Sequence, residues 1–127
     1  KVGGNHLILV SPKELRLAND VKSYLKQHGT TFEETDKLEY ALKKADVIYW
    51  NRIQKERFEG AVPPQTFVIG PQHLPLIKSD AFIMNTLPRI DEILTSVDKD
   101  PRAAYFRQAG NGMFLRMALL EWTLELL

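Results

Sequence analysis

Leu7-Ile8-Leu9-Val10, closed by Ser11-Pro12, decides the fold class. Four consecutive apolar residues with no polar alternation read as a strand buried on both faces, which is the habit of a parallel sheet covered by helices. Ser11 as N-cap and Pro12 at the first helical position predict a helix running on to about Gln27. Leu15, Ala18, Val21, Tyr24 and Leu25 keep its spacing, and Gly29 supplies the stop. The same alternation then repeats. Thr30 to Glu33 is β-prone, Asp36 to Lys44 is a short amphipathic helix, and Asp46 to Trp50 is a second buried strand. Thr66 to Ile69 and Ala81 to Met84 read as strands, with a short helix between Pro71 and Lys78. Beyond them Ala103 to Gln108 starts a helical turn, Gly110-Asn111-Gly112 is expected to interrupt it, and a last helix runs from about Met113 to Leu127. Strands alternate with helices and no hairpin signal intervenes, so the expected fold class is α/β, an open parallel sheet flanked by helices.

The chain has 127 residues, enough for one domain or most of one. Its 17 Lys and Arg against 16 Asp and Glu leave a net charge of +1, which speaks against a nucleic-acid partner or a membrane surface. There is no cysteine, so disulfides, thiol nucleophiles and thiolate metal sites are excluded. His6, His28 and His73 lie far apart with no carboxylate at ligand spacing, so no metal is expected. No phosphate-binding glycine loop and no nucleophile elbow is present. No apolar run reaches the roughly 18 residues of a membrane span, and nothing at the start resembles a secretory signal. A cytoplasmic location is the default. The opening Lys1-Val2-Gly3-Gly4, without Met, reads as the start of a processed or excised piece.

Ligands of open parallel sheets sit beyond the carboxyl ends of the strands, and two polar segments fall there. Asn51-Arg52-Ile53-Gln54-Lys55-Glu56-Arg57 follows the strand ending at Trp50. On a helical turn Glu56 is placed to hold Arg52, and a fixed guanidinium binds a carboxylate bidentately; Gln54 adds an amide donor. A solvated loop is the plainer reading of the same residues. The second segment is Met84-Asn85-Thr86-Leu87-Pro88-Arg89-Ile90-Asp91-Glu92, a strand end, a proline turn and an acidic pair.

These two segments precede a third, Asp100-Pro-Arg-Ala-Ala-Tyr-Phe-Arg-Gln-Ala-Gly-Asn-Gly112, and in that order and spacing the chain resembles aspartate carbamoyltransferases, specifically their second, aspartate-binding half. The resemblance runs from near residue 5 to the end. The ornithine branch of the family carries a cysteine-containing turn in place of Leu87-Pro88-Arg89, so a chain without cysteine is similar to the aspartate branch. The resemblance implies transfer of a carbamoyl group from carbamoyl phosphate to L-aspartate in de novo pyrimidine synthesis, with no metal or organic cofactor. By the same resemblance Arg52 binds an aspartate carboxylate, Gln54 assists and Glu56 holds Arg52. The backbone carbonyls of Thr86 and Leu87 accept hydrogen bonds from the carbamoyl amino group, a cis Pro88 aims them, and Arg89 holds the turn together. No catalytic residue in the strict sense is assigned. The family pattern has His-Pro where this chain carries Asn85-Thr86. That histidine lies close to the carbamoyl group, so the change is expected to bear on turnover, while an Asn side chain still offers a hydrogen bond.

What the resemblance implies of assembly follows the same lines. Residues 1–110 are expected to form a partial aspartate-binding domain, lacking its first strand and helix. Residues 111–127 are expected to form a helix that packs on a carbamoyl-phosphate-binding domain in the same or another chain. A homo-oligomer, trimeric in the family, is the expected state. Two other readings stand beside this one. One is a non-catalytic carbamoyltransferase-like domain that binds an amino-acid ligand or a partner chain; the other is an unrelated α/β interaction module.

Overall fold

The computed structural model describes residues 4–53 and 67–124. Its elements run β1 (His6–Val10), α1 (Asn19–Gln27), β2 (Thr31–Thr35), α2 (Leu38–Lys44), β3 (Val47–Trp50), β4 (Phe82–Asn85) and α3 (Tyr105–Thr123). β1 pairs with β2, and β3 with β4, both in parallel. The parallel α/β class expected from the Leu7–Val10 run is the class observed, but the expected two-sided burial is not: no residue of β1 is buried, and Val47 and Tyr49 of β3 are exposed. The sheet is in two pieces, and no ladder joins the two pairs among the described residues.

Three expected elements differ. The helix does not begin at Ser11-Pro12. Pro12 is extended, with ψ 159°, a 3₁₀ turn covers Lys13–Leu15, and Arg16 and Ala18 are extended again before α1 starts at Asn19. The reason lies in β2. Ser11 N–H donates to the Thr35 carbonyl, prolonging the strand ladder. Leu17 N–H donates to the Glu34 carboxylate at 3.0 Å, and the same carboxylate pairs with Lys22 at 2.6 Å. Glu34 thus claims the Leu17 donor that a longer helix would have used, while Thr35 draws Ser11 into the strand ladder. The end of α1 is as expected. Gly29 takes φ +67°, with Thr30 N–H on the Leu25 carbonyl and Gly29 N–H on that of Lys26, the paired bonds of a Schellman stop.

The second difference is α3. It runs unbroken from Tyr105 to Thr123, straight through Gly110-Asn111-Gly112, and not as a turn followed by a separate helix. Glycine ends a helix where a left-handed residue is required, and neither of these glycines has positive φ. Inside a helix it only lowers propensity. The expected strand at Thr66–Ile69 is reduced, in its described part, to one parallel bridge between Ile69 and Ile93. The segment Pro71–Leu76 is a 3₁₀ helix.

The core lies on the β3–β4 side, where Leu42, Ile48, Ile69, Ile83, Ile93, Val97 and Tyr105 form a single buried cluster. Residues 102–104 add an edge to β4, since Ile83 N–H donates to the Arg102 carbonyl and Ala104 N–H to that of Ile83, each at 2.8 Å. α1, by contrast, buries no residue. Along α3, Phe114, Leu115, Leu120 and Trp122 are all more than 60% exposed. This helix therefore presents an extended apolar surface to solvent.

Candidate functional site

β3 and β4 are in register with Trp50 opposite Asn85, so both strands end at one level. Arg52 lies two residues past the first end and Leu87 two past the second. Adjacent parallel strands therefore deliver the guanidinium-bearing segment and the proline turn to the same edge of the sheet. Arg52 is half-buried there. Gln54 and Glu56, with which it was grouped, lie outside the described residues, as do Lys55 and Arg57.

The proline turn has a defined geometry. The Leu87–Pro88 bond is cis, and Leu87 sits at φ +45°, the left-handed region that side chains other than glycine seldom enter. Thr86 and Pro88 are exposed and Leu87 half-buried. Among the described residues no backbone donor reaches the carbonyl of Thr86 or of Leu87. The turn forms one wall of an open groove of about 1240 Å³, whose other sides come from Tyr49, Phe82, Phe106 and Leu115.

Asn85 does not face this groove as a free donor. Its side chain is buried, with 2% exposure. Oδ1 accepts from Leu87 N–H at 2.6 Å and Nδ2 donates to Glu92 Oε1 at 3.1 Å. Both polar atoms of Asn85 are thus engaged within the turn. Thr86, the other departure from the family pattern, is on the outside. Glu92 is itself buried, and its Oε2 accepts the amides of Ile90 at 2.9 Å and Asp91 at 3.2 Å. Burial alone would raise its carboxyl pKa, but the Ile90 amide, the other amides and the Asn85 side chain outweigh that and hold it below the usual carboxylate value.

Arg89, which also lines the groove, is engaged in a second network. Nη2 donates to Asp98 Oδ2 at 2.6 Å, Nη1 donates to Asp98 Oδ1, and Tyr105 O–H donates to that same oxygen. Its guanidinium also lies 5.5 Å from the centre of the Tyr105 ring and 5.7 Å from that of Phe106. The Arg89 contact holds the Asp98 carboxyl below its ordinary value, while burial followed by Asp98 pushes the Tyr105 hydroxyl up to about 12. Arg89 thus ties the turn to the start of α3. A parallel clamp joins Arg102 to Asp100, at 2.8 and 2.7 Å, and to the Ile77 carbonyl at 2.5 Å.

Gln108 was not singled out in the sequence. Its Oε1 accepts from Asn85 N–H at 3.1 Å and its Nε2 reaches the Tyr49 hydroxyl at 3.4 Å, so α3 is fastened to both strand ends. No local signal marked it, because its partners Asn85 and Tyr49 lie 23 and 59 residues away in sequence. Each histidine has a local partner: His6 the Thr31 hydroxyl, His28 the Tyr24 carbonyl, and His73 the Gly70 amide. Among the described residues no three metal-ligating side chains converge, and no helix is long and apolar enough to cross a membrane.

With fold and turn described, the comparisons define the class. Residues 1–123 match the aspartate/ornithine carbamoyltransferase family in its Asp/Orn-binding domain, and the chain belongs to that family. It is 42% identical over 120 residues to the aspartate carbamoyltransferase catalytic subunit of Clostridium novyi, covering 91% of this chain and 39% of that one. It is 43% identical, again over 120 residues, to the chloroplastic aspartate carbamoyltransferase of Oryza sativa subsp. japonica, covering 91% of this chain and 33% of the relative. Among solved structures, aspartate transcarbamoylase of Trypanosoma cruzi in complex with carbamoyl phosphate and aspartate superimposes with a TM-score of 0.78 at 37% identity, over 91% of this chain and 40% of that one. The chain thus spans about two-fifths of the length of such relatives.

Proposed function

We propose that this chain is the aspartate-binding part of an aspartate carbamoyltransferase, the enzyme that moves a carbamoyl group from carbamoyl phosphate to L-aspartate in de novo pyrimidine biosynthesis. One observation carries the reading: the parallel register of β3 and β4 sets Arg52 and the Thr86–Leu87 carbonyls at a common strand edge. Arg52 binds a carboxylate of aspartate, with Gln54 assisting and Glu56 holding the guanidinium. The carbonyls of Thr86 and Leu87 accept hydrogen bonds from the carbamoyl NH₂. Held in that geometry, the α-amine attacks the carbamoyl carbon. A C–N bond forms, the C–O bond to phosphate breaks, and the amine gives up a proton as phosphate leaves. Positioning supplies most of the rate. The groups that hold the phosphate come from a carbamoyl-phosphate-binding domain in the same or another chain, and residues 111–127 pack on it. That role accounts for the apolar exposure of α3. A further parallel strand accounts for the two unjoined strand pairs. A homotrimer in the cytoplasm is the proposed setting; a relative named chloroplastic also matches 91% of this chain.

The test is carbamoyl transfer to L-aspartate by this chain alone and mixed with a family first half extended through one further strand and helix. Activity only in the mixture is the expected result. Association of the two pieces without transfer would favour the non-catalytic reading, for which the change to Asn85-Thr86 is the specific argument.

A further inference from the structure

We infer that the buried Asn85–Glu92 pair is a positioning device for the carbamoyl group, fixing the direction of the Thr86 and Leu87 carbonyls without touching the substrate. The inference rests on the carbamoyltransferase reading and adds to it two residues that bind nothing themselves. Asn85 and Glu92 are the buried polar side chains of the described residues, at 2% and 5% exposure. A buried carboxylate is costly unless its oxygens are occupied, and an apolar pair would fill the same space without that cost. Here the oxygens are occupied by the turn itself. Glu92 Oε2 gathers the Ile90 and Asp91 amides, and Oε1 takes the Asn85 amide hydrogen. Asn85 Oδ1 then takes Leu87 N–H at 2.6 Å, which pins the residue at φ +45° whose carbonyl the substrate requires. Gln108 anchors the assembly from outside through Asn85 N–H. One side-chain pair therefore closes the turn from its first residue to its last, and the two carbonyls belong to residues 86–87, the stretch that these bonds enclose.

The pair is testable by exchange. In Glu92→Gln the new NH₂ meets either the Asn85 NH₂ or the two backbone amides, so donor faces donor. In Asn85→Asp two carboxylates face each other. In the double variant Asn85→Asp/Glu92→Gln the side-chain bond is restored in reverse. The new amide at position 92 donates to the new carboxylate at position 85 and accepts both backbone amides, and the net charge is unchanged. Each variant is assayed in the two-part complex. Each single variant should raise KM for carbamoyl phosphate about tenfold and lower kcat, while KM for aspartate stays within about twofold. The double variant should recover most of the loss. Where the single variants fold poorly, the double variant and Gln108→Leu, which removes only the outer anchor, carry the test, Gln108→Leu giving a smaller shift of the same kind. Equal changes in both KM values, a fall in active fraction with both KM values intact, or a double variant no better than the single ones would overturn the inference. An active unsubstituted complex with unaffected variants defeats this inference alone, whereas a silent unsubstituted complex defeats the functional reading and this inference with it.

Discussion

Arg52 and Arg89 are both guanidinium groups near the strand ends, yet their surroundings give them different work. Arg89 is spent on Asp98 and on the faces of two aromatic rings, inside the protein. Replacing it with Met leaves Asp98 with Tyr105 alone, and stability should fall by about 2 kcal/mol, the usual cost of breaking a charged hydrogen-bond pair. Urea unfolding of Arg89→Met against the parent measures it. Arg52 stands past the end of β3, half-buried, and the test there is Arg52→Ala. In the two-part complex it should raise KM for aspartate by about a hundredfold, with KM for carbamoyl phosphate little changed. That split is the reverse of the one expected at Asn85 and Glu92, which assigns each side of the site to its own substrate. Retained aspartate affinity in Arg52→Ala would remove it from the site.

Elements respond to glycine according to backbone, and two positions show opposite signs. Gly29 occupies the left-handed region at the end of α1, where any side chain is strained. Gly29→Ala should destabilise by about 1 kcal/mol. Gly110 lies inside α3 with nothing within 4 Å of the place its Cβ would take. Gly110→Ala should therefore stabilise, by up to about 1 kcal/mol, through helix propensity alone. Thermal melts of the two variants should move in opposite directions. A downward shift for Gly110→Ala would mean that the helix is broken there after all.

For the whole molecule, pH acts through carboxylates held below their ordinary values. Glu34 is lowered first by Lys22, Asp98 by Arg89 and Asp100 by Arg102; at Glu92 burial opposes the shift but its hydrogen bonds prevail. In each case the unfolded chain takes up the proton more readily than the folded one. Their contribution is complete above the ordinary carboxylate range, near pH 4, and is lost as pH falls through the lowered folded-state values. Stability should be flat from neutral pH down to about 5 and decline below it, read as a falling urea midpoint. Since the Asn85–Glu92 turn, the Arg89–Asp98 pair and the Arg102–Asp100 pair are among these groups, the turn and the start of α3 should loosen first, seen as early loss of amide protection at Leu87 and Ile90.

The parallel α/β class was legible because apolar runs such as Leu7–Val10 and Val47–Trp50 form parallel strands. Their burial was not, since Leu7, Val47 and Tyr49 are exposed. The stop at Gly29 was legible because only the left-handed backbone calls for glycine there. Arg52 and the Leu87-Pro88-Arg89 turn were legible as short motifs at strand ends. The late start of α1 was not, because Glu34 and Thr35, remote in sequence, claim the backbone donors of Ser11 and Leu17. Nor was the unbroken α3, since a glycine without a left-handed backbone lowers helix propensity but does not by itself end a helix. The inward turn of Asn85 was decided by Glu92, seven residues on, whose carboxylate finds its donors only once the turn has closed. Local chemistry names elements and motifs; which polar atoms remain free to meet a substrate depends on partners that only the folded chain brings together.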